Sequence, residues 1–202
     1  MSEEFAELII EGQRYKMPIF VGTEGEKGID ISRLRRDTGF ITVDPSYVNT
    51  GSCYSKITFI NGERGVLRYR GYSIEELCAS CSFVETAYLL LHGELPSEEQ
   101  LTEYSELLSQ NSILHEDMRH FFDGFPRGAH PMRILSTMIN ALSTFYPNVD
   151  TLSLMERITI TSVRLISVFR TLAAFSYKKS VGEPVVYPRH DFSCCGNFLN
   201  MM

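Results

Sequence analysis

Apolar and polar positions alternate in short runs up to about residue 70, and then recur at helical spacing to the end of the chain. EFAELII and QRYKMPIF, split by Glu11-Gly12, are short β-prone runs. GTEGEKG (22–28) reads as a polar loop, and DISRLRRDTG and VDPSYVNTG read as turns leading to the next unit. β-Forming residues return from Tyr54 to Ile60. Asn61-Gly62 offers positive φ for a tight turn, and Gly65 to Tyr69 supplies the return strand before Gly71 ends it.

Ser73-Ile74-Glu75-Glu76 has the spacing of a capping box, in which a hydroxyl and a carboxylate satisfy two backbone N–H groups at a helix start. Phe83 to Leu91 predicts a second helix, ended by His92-Gly93 with Pro96 beyond. Ser97 to Gln100 repeats the capping box and opens a helix to about Gln110. Asp117 to Phe122 predicts a short helix, and FPRGAHP (125–131) a loop whose Pro131 suits the first helical position. Met132, Leu135, Met138, Ile139, Leu142, Phe145 and Tyr146 then recur at helical spacing, until Pro147 and Asn148 break the pattern before a long helix over 152–178. The expected fold is mainly α: a small β-rich N-terminal domain over 1–50, then a hairpin and a helical domain over 51–202.

Residues 152–177 are apolar enough to raise the question of a membrane span. Arg157, Arg164 and Arg170 interrupt them, and the longest uncharged run, 171–177, is seven residues. A span needs about 20 mostly apolar residues, so the expectation is a buried helix and no membrane. A net charge of −6 argues against nonspecific nucleic-acid binding, which needs surplus Lys and Arg. The acidic opening, MSEEFAELII, fits neither a secretory signal nor a transit peptide, and five cysteines read as reduced thiols. A cytoplasmic location is expected.

Local chemical motifs are sparse. GTEGEKGIDIS lacks the Gly-Lys-Ser/Thr ending of a phosphate-binding loop. HEDMRH (115–120) spaces its histidines five apart, which turns a helix by about 500° and separates the two rings. Cys78 and Cys81 form a CxxC, but the adjacent pair Cys194-Cys195 is poorly placed to complete one tetrahedral ion. No metal is expected. His130, where a loop meets an apolar helix, reads as a side chain tying that loop to the helix start.

GVLRYRGYSIEEL, AYLLLHGELPSEEQ, HPM before a long apolar helix, and SYKKSVGEPVVYPR with GNFLNMM resemble citrate synthase, in order and with compatible spacing from about residue 5 to 202. The likeness is nearest to the bacterial, Gram-negative-like type II enzymes, with a β-rich N-terminal domain. It implies condensation of acetyl-CoA with oxaloacetate and water to citrate and CoA. An aspartate would remove a proton from the acetyl methyl group, histidines would polarise the two carbonyls, and arginines would hold the carboxylates. In the family these groups begin with a His-Ala-Asp-His-Glu-Gln run, which is expected beyond residue 202. No catalytic residue is therefore carried onto this chain, and the fragment is expected to be inactive alone. The open end of the helix Asn197–Met202 adds to the expectation of an N-terminal fragment. The alternatives are a 2-methylcitrate synthase fragment and a non-catalytic dimerising remnant.

The resemblance also implies a homodimer, possibly a higher homo-oligomer, formed through helices near 131–146 and 153–178. Acetyl-CoA would be a substrate of the complete enzyme, and no cofactor is expected on the fragment. NADH-inhibited members carry an Arg-His-Thr-Met run, a tyrosine, and an arginine with a lysine four residues on. The matching positions here are Gln110, Asn111, Ser112 and Ile113, then Tyr146, then Arg164 with Val168. Ser112, Tyr146 and Arg164 are the candidate remnants of that allosteric site. With two cationic groups missing, strong NADH inhibition is not expected.

Overall fold

The structure, a computed structural model, describes residues 4–146 and 151–202. It divides into two units, one ending at Ser55 and one beginning at Lys56.

In the first unit β1 (Phe5–Ile10), β2 (Gln13–Val21) and β3 (Lys27–Ile29) form an antiparallel sheet in that order. Glu11 and Gly12 both take positive φ (51° and 84°), the geometry that closes a two-residue hairpin between Ile10 and Gln13. β3 corrects the reading of 22–28 as loop throughout. The Gly22 N–H donates to the Glu26 carbonyl at 2.7 Å, closing the turn early and leaving Lys27 and Gly28 to pair with β2. A short helix, α1 (Leu34–Thr38), likewise replaces the expected turn in DISRLRRDTG, buried at Leu34 and stopped by Gly39 at φ 78°. VDPSYVNTG is a turn, as read: the Asp44 carboxylate accepts from the N–H groups of Val48 and Asn49 and from the Thr50 hydroxyl.

The second unit opens with β4 (Thr58–Asn61), β5 (Val66–Tyr69) and β6 (Tyr72–Ser73), antiparallel in that order. The turn after Asn61 is not the two-residue form. Asn61 pairs with Val66 across a four-residue loop, the Asn61 amide oxygen accepts the Arg64 N–H at 3.0 Å, and Gly65 carries the positive φ. The tight turn lies at Arg70-Gly71 (φ 50° and 94°), between Tyr69 and Tyr72.

Helices then follow: α2 (Ile74–Ser80), α3 (Phe83–His92), α4 (Glu98–Gln110), α5 (Glu116–Asp123), α6 (Pro131–Leu142) with a 3₁₀ turn over Ser143–Phe145, α7 (Leu154–Val181) and α8 (Cys194–Met201). The break at Pro147-Asn148 lies outside the described residues. Capping boxes form at Ser73–Glu76 and Ser97–Gln100 as read, and also at Ser82–Glu85 and Ser153–Glu156. Two starts use histidine: the Nδ1 atoms of His115 and His130 accept the N–H groups of Asp117 and Met132, each at 3.2 Å. His130 thus ties the loop to α6.

The main core is the contact of α6 with α7. Ile134, Met138 and Leu142 pack with Val168, Leu172 and Phe175, and α5 adds Met118 and Phe122. Met132 is 61% exposed, so the apolar run from 132 is not all core; it lies on the side of α6 away from the Ile134–Met138–Leu142 stripe. α7 is long and apolar enough to cross a membrane, the one such helix among the described residues, yet 44% of its apolar window is buried. Its cover is α4, α6 and α8, which makes it a core helix. Gly182 ends it at φ 79°, a left-handed conformation that favours glycine, with the Arg127 guanidinium over the space a Cβ would take.

Met138→Ala should destabilise the chain by about 2–5 kcal/mol, whereas Met132→Ala should change little; denaturant unfolding compares the two. The capping carboxylates predict a pH effect. Hydrogen bonds from Ser73, Ser82 and Ser153 hold Glu76, Glu85 and Glu156 below the usual carboxylate range. Their stabilisation is complete above the unfolded Glu value of about 4.3 and lost as pH falls through the lower folded values. Glu156→Gln should therefore flatten the fall in thermal midpoint at acid pH.

Candidate functional site

α7 presents the residues singled out in the sequence. The Arg164 guanidinium carbon lies 3.6 Å from the centre of the Tyr146 ring, a cation–π contact made where the 3₁₀ turn after α6 meets α7. Val168, one turn on, is fully buried in the α6–α7 core. Ser112 is buried beyond the end of α4, and its hydroxyl donates back to the Ser109 carbonyl at 2.6 Å. Its own carbonyl accepts the Thr171 hydroxyl at 2.8 Å. Thr171 is two turns past Arg164, about 10 Å along the helix. Tyr146 and Arg164 therefore form one cluster, and Ser112 anchors α4 to α7 outside it. Ile113 is exposed and Asn111 caps α4.

The histidines are spread among structural contacts. His92 stacks on Tyr88 with centroids 4.1 Å apart and meets Tyr104 edge-on, while His120 faces Asp123 at 3.6 Å. His115 and His130 are the helix caps described above. The cysteines are free. Among the described residues no group of three or more His, Cys, Asp or Glu side chains is placed to hold a metal ion.

Sequence reasoning missed a polar cluster inside the α4–α7–α8 packing. Arg170 is only 8% exposed, and its Nε has no hydrogen-bond partner; nor does the buried Tyr104 hydroxyl. Arg170 acts on Cys194: burial pushes the thiol pKa up, and the charge and hydrogen bond of Arg170 pull it back down. Burial, with Cys194 and Tyr88 nearby, also raises the pKa of Tyr104. Arg170 and Cys194 line an otherwise apolar groove of about 410 Å³ with Phe83, Phe169 and Phe198. The available signal is Arg170, one arginine among the apolar neighbours of α7.

Comparison with known proteins gives this arrangement its context. A family model described as the C-terminal domain of citrate synthase matches residues 46–202. Citrate synthase 1 of Mycobacterium tuberculosis is 41% identical over 202 residues, which is 99% of this chain and 46% of that protein. The citrate synthase of Pyrobaculum aerophilum superposes with a TM-score of 0.72 at 26% identity, covering 91% of this chain and 44% of that one. For the Thermotoga maritima enzyme the TM-score is 0.68 at 28% identity, with coverage of 80% and 41%. The chain spans about half the length of the curated relatives it matches. A match through the hairpin, the capped helices and the α6–α7 core leaves no doubt of kinship, and the chain belongs to the citrate synthase family.

Proposed function

We propose that this chain is the scaffold half of a citrate synthase that condenses acetyl-CoA with oxaloacetate and water to give citrate and CoA. The observation that carries this reading is the 41% identity to a citrate synthase along essentially the whole chain. In the reaction a carboxylate takes a proton from the acetyl methyl group, and the resulting carbon attacks the oxaloacetate carbonyl. Water then splits the citryl thioester, releasing CoA. The groups for those steps are read as lying beyond residue 202, in a segment beginning His-Ala-Asp-His-Glu-Gln. The role of residues 51–202 is to hold the helical frame, preceded by a small β-rich domain over 1–50. The setting is read as cytoplasmic.

α6 and α7 are read as one side of an isologous homodimer. Support comes from the first turns of α7, where Leu154, Met155 and Ile158 are exposed and Met155 reaches 71%. Apolar exposure of this kind marks association surfaces. NADH inhibition is read as weak. The Arg164 charge already rests on Tyr146, Val168 is buried, and the Ser112 hydroxyl is satisfied within its own turn.

The test is to read the gene past the Met202 codon and assay its complete product for CoA release. The expected product turns over acetyl-CoA only when oxaloacetate is present, while purified 1–202 releases none. Faster release from propionyl-CoA would replace the assignment by 2-methylcitrate synthesis, and turnover by 1–202 alone would overturn the division of labour. The same assay with rising NADH should show little inhibition; inhibition at micromolar NADH contradicts that reading. For the dimer, sedimentation of 1–202 should show a two-chain species that Ile158→Glu converts to monomer. A monomeric parent chain would count against the interface.

A further inference from the structure

The loop before α6, the end of α5 and the end of α7 enclose a cavity of about 290 Å³ that the condensation reading does not use. Its floor is apolar: Phe122, Phe175 and Val185. Its walls carry Arg119, Arg127 and Lys179, with Asp123 and Glu183 at the same rim.

The charges are not equally committed. Arg119 is paired with Glu116 at 2.7 Å, and Glu183 is held by Lys178 at 2.6 Å. Arg127 and Lys179 touch only main-chain oxygens. Arg127 Nη2 donates to the Gly182 carbonyl at 3.0 Å, and Lys179 Nζ reaches the Asp123 carbonyl at 3.5 Å. Neither has a carboxylate within 4 Å among the described residues. Asp123 is the opposing acid, and its carboxylate faces His120 rather than either cation. Two cations without counter-charges thus converge on one concavity.

Arg127 is anchored at one point, by its Nη2 on the Gly182 carbonyl. Its guanidinium lies over Gly182 in the space a Cβ would take, and Gly182 itself is the left-handed stop of α7. Holding the fork against backbone lowers the entropy lost when a ligand is bound.

We propose that this cavity binds a small organic dianion, a phosphate ester or a dicarboxylate, with Arg127 and Lys179 taking the charge and the Phe122–Phe175 floor taking the carbon body. A volume near 290 Å³ suits a compact metabolite-sized ligand. Pairing with two charged donors favours a dianion over a monoanion.

Calorimetric titration of the 202-residue chain tests this, with inorganic phosphate and succinate as dianions and acetate as monoanion. Expected is saturable binding of at least one dianion, with acetate much weaker. Arg127→Gln and Lys179→Gln should each weaken it roughly tenfold, Arg127→Lys should weaken it less, and Asp123→Asn should strengthen it. Circular dichroism checks that each variant is folded, and Lys179→Gln and Asp123→Asn remain informative should Arg127→Gln disturb the stop of α7. Phosphate binding without succinate assigns a phosphate ester, and the reverse assigns a dicarboxylate. Absence of saturation by both dianions, equal affinity for acetate, or affinity unchanged in Lys179→Gln and Asp123→Asn would overturn the proposal.

Discussion

The packing of α6 on α7 determines where almost everything else in the second unit can go. Ile134, Met138 and Leu142 recur four apart on one helix and meet Val168, Leu172 and Phe175 on the other. Burying one such side chain contributes about 1.5–3 kcal/mol, against about 1 kcal/mol for a helix cap. Packing therefore decides that the helices pair, and the caps decide where each begins. With Met118 and Phe122 drawn onto the same cluster, α5 is fixed beside the end of α7. The Tyr146–Arg164 contact and the Arg127–Gly182 contact are both consequences of that placement.

Charge inside α7 works against this economy of packing. Arg170 and Tyr104 lose water on burial, and Arg170 Nε and the Tyr104 hydroxyl receive no hydrogen bond in return. The thiol of Cys194 beside them is a weak acceptor, and burial raises its pKa more than Arg170 lowers it, which makes it a poor counter-ion for Arg170. A buried arginine without an anion is costly. Its position beneath an apolar groove, rather than in the α6–α7 core, limits how much that cost can unsettle the main contact.

Legibility in the sequence followed the range of the interactions. Ser73–Glu76 and Ser97–Gln100 were readable because a capping box is closed within four residues; Ser82–Glu85 and Ser153–Glu156 carry the same spacing and could have been read too. β3 and α1 were missed because their signals are tertiary: Gly28 becomes strand only when Phe20 is opposite it, and Leu34 becomes helix only when it has a core to enter. At Asn61 the dipeptide suggested a two-residue turn, yet the longer loop to Gly65 kept Asn61 itself in the ladder. Of the candidate residues, Tyr146 and Arg164 are marked only by the family resemblance, and their contact exists only where α6 and α7 are packed. Arg127 and Lys179 carried no local signal, because Arg127 and Gly182 are 55 positions apart in the chain.

The two ends of α7 make opposite demands on their surroundings. From Val163 onward one stripe of the helix, with Val163, Ser167, Val168, Thr171, Leu172, Ala174 and Phe175, is buried, while Leu165, Phe169 and Tyr177 on the other side stay exposed; the hydroxyls of Ser167 and Ser176 are turned back onto carbonyls of their own helix. That stripe is covered within the chain. Before Val163 the apolar side chains of Leu154 and Met155 are largely exposed and Ile158 is about half exposed, although a capping box at Ser153 starts the helix. Capping settles the ends of a helix but offers nothing to its apolar flank, so a helix propagated this far into solvent draws its stability from the packed half. A surface that covered Leu154 to Ile158 would add burial without altering the fold, which is the energetic pattern expected of a helix shared between a subunit core and an interface.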